Sequence, residues 1–243
     1  MLLLEIDWNN FYVFYGRITI AAMILPVLAA LLFRRYWNRA LYAAFWYFLM
    51  TFLLNVSEQI FIWSTGAYYE SFKPFLDYFQ ITNTNFIKIF YYLKDFFFLG
   101  WFFSLIFSSS RLRSSVKWVS LLLILATSIN YLFIEGYQGH GFFNPVINAL
   151  YVILLPILYL WISQISSLRI PLRKNPYFWI SIGLFLPNLL ALFLYFTGDY
   201  IYTTNYPLFV ILSSIKNTFE MIGLVMVSFG FVNARFARFV TDG

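Results

Sequence analysis

Seven times along this 243-residue chain an apolar segment recurs, at residues 11–33, 40–63, 84–107, 116–134, 145–163, 177–197 and 207–231. Each is about as long as the roughly 20 residues that a helix needs to cross the hydrocarbon layer of a bilayer. Only 11% of the residues are charged and 62% are hydrophobic, whereas soluble domains carry about 25% charged residues. No soluble core can hide that much apolar surface, so the sequence predicts an all-α polytopic membrane protein. It forms a single domain of seven transmembrane helices over 1–243, with the lipid bilayer as its first partner. The leader MLLLEIDWNN is acidic and no small-residue cleavage site follows, so the first span is expected to remain in the mature protein.

Charge distribution gives the orientation. Arg34, Arg35, Arg39, Arg111, Arg113, Lys117, Arg169, Arg173, Lys174, Arg235 and Arg238 flank one set of helix ends, 11 of the 16 basic residues, with Asp242 their one acidic companion. The other set holds Glu5, Asp7, Glu70, Asp77, Glu135 and Asp199 against Lys73. The positive-inside rule makes the first set cytoplasmic, with the N-terminus outside and the C-terminus inside. The net charge of +6 is then topogenic, and no nucleic-acid partner is expected on such short connections. Trp8, Tyr12 and Tyr15 at one end of the first span, and Tyr36, Trp37 and Tyr42 near the other, fit the two aromatic belts.

The first three spans also resemble the last three. ILPVL around Pro26 matches LLPIL around Pro156, and Phe45-Trp46 matches Phe178-Trp179. At the same offset Asn55 falls on Asn188, and the Thr-Gly pair of STG at Ser64 to Gly66 matches that of FTG at Phe196 to Gly198. Lys94-Asp95 with Gly100 answers Lys216-Asn217 with Gly223. The shared order predicts parallel pseudo-repeats at 11–107 and 145–231, joined by a linker helix at 116–134, as in transporters whose halves are related about the membrane normal. Pro26, Pro156 and Pro187 lie inside spans, where a missing donor can kink a helix, and they are the hinge candidates.

Ionisable groups within spans are costly, about 2.5 to 3.5 kcal/mol each on insertion scales, and mark functional positions by default. The candidates are Arg17, Glu58, Lys88, Lys94, Asp95, Lys216 and Glu220. Tyr91 or Tyr92 joins Lys88 and Asp95 on one face of the third span, and Thr51, Asn55 and Glu58 form a stripe on the second. Lys216 and Glu220 are an i, i+4 pair, and Asp95 is expected to meet them, with Lys94 or Glu58 close by. Four bases against three acids leave one surplus positive charge, which favours an anionic or carboxylate-bearing ligand in a cavity open to the outside. A purely structural ion-pair cluster is the competing reading. The segment AYYESFKPFLDYF is expected to form an interfacial helix or lid on the outer surface.

Enzyme chemistry is not expected. The chain has no cysteine, so thiolate chemistry and disulfides are excluded, and its one histidine, His140, has no second histidine or ligand spacing beside it, so no metal site is expected there; no phosphate loop or cofactor motif is present.

The segments PYFWISIGLFLPNLLALFLYFTG, SSIKNTFEMIGLVMVSFG and NFIKIFYYLKDFFFLGWFF resemble a widespread family of uncharacterised bacterial seven-helix membrane proteins. That likeness spans nearly the whole chain, implies the inner (cytoplasmic) membrane and brings no activity with it. The arrangement of three helices, one linker and three helices is similar to SWEET and PQ-loop transporters and, remotely, to microbial rhodopsins. Val27 and Ile157 stand after the two prolines where a PQ loop has glutamine. In a rhodopsin Lys216 would carry retinal, but Leu212 stands one turn earlier where a carboxylate is expected, so Asp95 or Glu58 would have to substitute. Two functions remain: a receptor, sensory or accessory subunit that binds a small ligand, or a small-solute transporter. The tail NARFARFVTDG is too short to signal alone, so the first reading requires a membrane or cytoplasmic partner protein.

A cysteine at Ser71 is predicted to react with a membrane-impermeant thiol reagent in intact cells, and a cysteine at Ser114 is predicted to be protected. Reversed labelling would invert the topology.

Overall fold

A computed structural model describes residues 7–81, 83–136, 141–165 and 171–241. Glu5, His140, Arg169 and Asp242, which entered the sequence reading, lie outside the described residues. Among the described residues the regular structure is helical throughout, without strands. Seven helices are long and apolar enough to cross a membrane: Trp8–Leu32, Arg39–Ala67, Thr84–Ile106, Ser110–Ile134, Phe143–Ser163, Pro176–Thr204 and Tyr206–Phe236. They are referred to below as the first to seventh spans.

The helices outrun the apolar segments that mark them. Asp7 accepts from the N–H groups of Asn9 and Asn10 at 3.1 and 3.0 Å and starts the first span upstream of residue 11. Asn38, Asn175 and Asn205 cap the second, sixth and seventh in the same manner, because a short polar side chain satisfies donors that a helix N-terminus leaves unpaired. The fourth span begins at Ser110 rather than 116, so Arg111, Arg113 and Lys117 occupy its first turns instead of a loop. Within AYYESFKPFLDYF a helix runs from Tyr69 to Tyr78.

The prolines differ in effect. The first span is interrupted at Met23, three residues before Pro26, where Pro26 has no N–H to offer the preceding turn. The helices Phe143–Ile165 and Pro176–Thr204 run on through Pro156 and Pro187. Two π-helical turns widen other spans, Asp95–Leu99 in the third and Asn130–Ile134 at the end of the fourth.

By their internal contacts the residues form two compact units, one of residues 37–151 and one that joins 1–36 to 152–242. This partition follows packing. In the first unit Leu41, Phe96, Leu99, Phe102, Phe103 and Phe107 are almost wholly buried. Gly100 lets the third span lie against the fourth and fifth, since a Cβ there would collide with Ser120 and come within 2.9 Å of the Tyr151 hydroxyl. In the second unit the sixth and seventh spans pack antiparallel along Gly183, Gly223 and Gly230. A Cβ at Gly223 would strike the carbonyl of Gly183, and one at Gly230 would come within 2.8 Å of the Pro176 carbonyl. The first span joins the seventh through Tyr15 and Thr218, whose hydroxyls are 2.7 Å apart. Small residues drive such contacts in lipid because backbones gain packing that side chains would block.

Gly223→Ala is predicted to lower the melting temperature, at a stability loss of about 1–3 kcal/mol from overpacking against backbone. Gly66→Ala, where a new Cβ meets nothing within 4 Å, should leave it unchanged or slightly higher.

Candidate functional site

The deepest charges of the first unit sit where the third span widens. Lys94 and Asp95 are neighbours in sequence and form a 2.8 Å ion pair, their side chains only 7% and 10% exposed. Lys94 Nζ also donates to Thr51 Oγ1 at 2.7 Å and lies 4.4 Å from the ring centroid of Tyr47. Thr51 in turn donates to the Tyr47 carbonyl. On the other side Asn148 Nδ2 donates to Asp95 Oδ2 at 2.8 Å. One neutral pair thus ties together the second, third and fifth spans, and removing one member of such a pair strands the other at a loss of about 3–5 kcal/mol. The amide oxygen of Asn148 has no hydrogen-bond partner among the described residues.

One turn earlier on the fifth span stands Asn144, 2% exposed, and its Oδ1 also has no partner among the described residues. Asn144 lines a small hollow together with Asn85, Lys88, Tyr92, Tyr131 and Glu135, bounded by Gly136, Gly141 and Pro145. Glu135 follows the π turn of the fourth span and shapes this rim. Its Oε1 accepts from the N–H groups of Phe142 and Phe143 at 2.9 and 2.7 Å, and its Oε2 accepts from Asn130 Nδ2 at 2.7 Å. A carboxylate borrowed from the preceding connection therefore caps the fifth span, where negative charge is favoured. Gly141 has φ +58, and a Cβ there would approach Glu135 Oε2 to 2.8 Å, so glycine is required both for the turn and for the carboxylate. Tyr131 donates to the Asn85 carbonyl at 3.1 Å across the same rim.

Of the residues singled out in the sequence, Asn55, Glu58, Lys88, Tyr92, Lys94 and Asp95 fall in this unit. Glu58 accepts from the Tyr91 hydroxyl at 2.9 Å. Asn55 donates to the Thr51 carbonyl at 2.9 Å, and Asn188, which the expected repeat aligns with it, donates to the Leu184 carbonyl at 2.8 Å. The two asparagines thus adopt one local conformation in two helices. In the other unit Lys216 and Glu220 pair at 2.9 Å across one helical turn, 29% and 23% exposed, and Arg17 lies exposed on the first span. Each ion pair closes within its own unit. Among the described residues no group of three His, Cys, Asp or Glu side chains is placed to hold a metal ion.

Asn144, Asn148, Asn85 and Tyr131 are not among the residues that charge, polar stripes or the expected repeat single out in the sequence. For Asn144 and Asn148 the signal lies in FNPVINALYVILL, where two asparagines four residues apart interrupt an otherwise apolar helix. No family model matches the chain, and neither a curated protein nor a solved structure is detectably similar to it.

Burial pushes the Glu135 carboxyl upward, but the N–H of Phe143, then that of Phe142, the Asn130 amide and the N–H of Asn144 outweigh it and hold the group below its ordinary value. Its contribution to stability is therefore present above the unfolded value of about 4.3 and is lost as pH falls through the lower folded value. Wild type should melt above Glu135→Gln at pH 7, and the gap should close progressively below about pH 4. A gap independent of pH would contradict the capping role.

Proposed function

We propose that the protein is a seven-helix receptor or accessory subunit that binds a small polar ligand in the hollow of the 37–151 unit and couples to a partner protein. The observation that carries this reading is the hollow itself, which gathers Asn85, Lys88, Glu135 and Asn144 beside Tyr92 and Tyr131 in an otherwise apolar chain. Polar groups that converge on one concavity are what orients a small ligand in its site. Coupling is supported by what stands one helical turn inward, where Asn148 holds Asp95 at the start of a π turn. Such turns recur at functional sites because a one-residue shift in helix register can be taken up there. With the orientation expected from charge, the N-terminus is outside the inner membrane and the hollow opens to the exterior. The partner reads a movement of the spans at the cytoplasmic side.

A small-solute transporter is the second reading. It is favoured by the repeat, in which Asn55 and Asn188 make equivalent bonds and Gly100 and Gly223 both sit at close helix contacts. Mass spectrometry of material co-purifying in mild detergent separates the two. A small molecule retained by wild type and lost from Asn144→Leu, together with a stoichiometric protein partner, is the expected result. Counterflow of that molecule across proteoliposomes by the isolated chain would favour the transporter instead. Equal retention by wild type and Asn144→Leu would remove the hollow as the site.

A further inference from the structure

We propose that Lys174 and Arg235, where the sixth span begins and the seventh ends, form a seat for the phosphate of an anionic phospholipid. Lys174 belongs to the turn Leu172–Lys174 ahead of the sixth span, and Arg235 to the turn Asn233–Phe236 that closes the seventh. The two segments meet on one side chain. Lys174 Nζ lies 5.3 Å and Arg235 Cζ 4.8 Å from the centroid of the Phe236 ring, and aromatic faces attract cations. Arg173 and Arg238 flank them in sequence, and all four cations are exposed. Among the described residues none of the four joins an ion pair. Like charges gathered in this way repel, and an anion between them removes the repulsion. The backbone beneath is pinned. Asn175, fully buried, accepts from the N–H groups of Tyr177 and Phe178 and donates to the Tyr159 hydroxyl at 2.8 Å, while the Trp179 indole donates to the Arg173 carbonyl at 2.8 Å. Topology requires positive charge here but not this order, whereas a binding site gains from groups held in place beforehand. Phosphate is the matching chemistry, since its oxygens accept from the arginine fork and from the lysine point charge. The surroundings favour a lipid as its source. Val225, Phe229 and Val232 form an exposed apolar stripe on the seventh span that leads to Phe236 and gives an acyl chain a path. Trp179, its ring 5.9 Å from that of Phe229, marks the headgroup level as interfacial tryptophans do. The charge distribution places this end of the spans on the cytoplasmic side, where basic pockets between helices take anionic headgroups.

The test uses the full chain in mild detergent, melted during titration with dioctanoyl phosphatidylglycerol, with dioctanoyl phosphatidylcholine and with inorganic phosphate at matched ionic strength. Phosphatidylglycerol should raise the melting temperature saturably, by about 3–6 °C at concentrations about ten times its Kd, and the other two probes should not. Each cation at a lipid surface contributes about fivefold in affinity, so the double variant Lys174→Gln with Arg235→Gln should bind about 25-fold more weakly. Arg111→Gln with Lys117→Gln removes the same charge from exposed positions on the fourth span and should leave the affinity unchanged. Should the first double variant fail to fold, Lys174→Gln and Arg235→Gln must each weaken binding about fivefold on their own, while Lys174→Arg keeps it. Equal weakening in the two double variants would overturn the seat, as attraction to net charge alone. Equal shifts with the two lipids would overturn the anionic assignment, and an equal shift with inorganic phosphate would overturn the lipid. No saturable shift with any probe would overturn the proposal outright.

Discussion

In a hydrocarbon solvent no water stands ready to complete an unfinished hydrogen bond, and this one condition explains most of what the chain does with its polar residues. Along the seven spans hydroxyls and amides turn back on their own helices, as Thr19, Thr51, Asn55, Ser128 and Asn188 do by donating to the carbonyl one turn earlier. The charges that cannot be satisfied locally reach between helices, and Lys94 with Asp95 is the case on which the 37–151 unit depends. A cation, a carboxylate, a hydroxyl, an amide and an aromatic face from three spans complete one another. None of these groups tolerates loss of its neighbour, so together they fix the rotation and depth of each span far more tightly than apolar packing would.

The architecture was legible because length and hydropathy are set by the bilayer itself. All seven spans lie where the apolar segments are. Their ends were not legible from hydropathy, since a helix starts at its cap, and Asp7, Asn38, Asn175 and Asn205 are polar residues that a hydropathy reading assigns to loops. The fourth span shows the same effect, with Arg111, Arg113 and Lys117 carried on helix. Breaks in regularity were only partly visible. Pro26 announces the interruption at Met23, but identical residues at 156 and 187 leave their helices continuous, and nothing in DFFFL or NYLFI announces a π turn.

The candidate site was legible in its charges and opaque in its amides. Lys88, Lys94 and Asp95 stand out in so apolar a chain, and helical spacing places Tyr92 with them. Asn144 and Asn148 do not stand out by charge, although they do more to define the hollow and its link to Asp95 than any lysine does. Glu135 was visible only as an acidic residue in a connection. It reaches the N-terminus of the fifth span beside Gly136 and Gly141, whose φ values of +74 and +58 glycine alone adopts readily.

The sixth and seventh spans are separated by a single residue, Asn205, which both ends one helix and caps the next. A connection that short has no slack. As the nascent chain leaves the ribosome, the two helices have one way to fold against each other, antiparallel and in register from the bend. Their glycines meet in sequence from that bend outward, Gly223 against Gly183 and then Gly230 against Pro176. The two spans thereby form a hairpin, and Lys216 and Glu220, one turn apart on its second helix, are paired whatever the hairpin packs against. Two charges are thus carried in the bilayer as one neutral pair, at a lower cost than either would have alone.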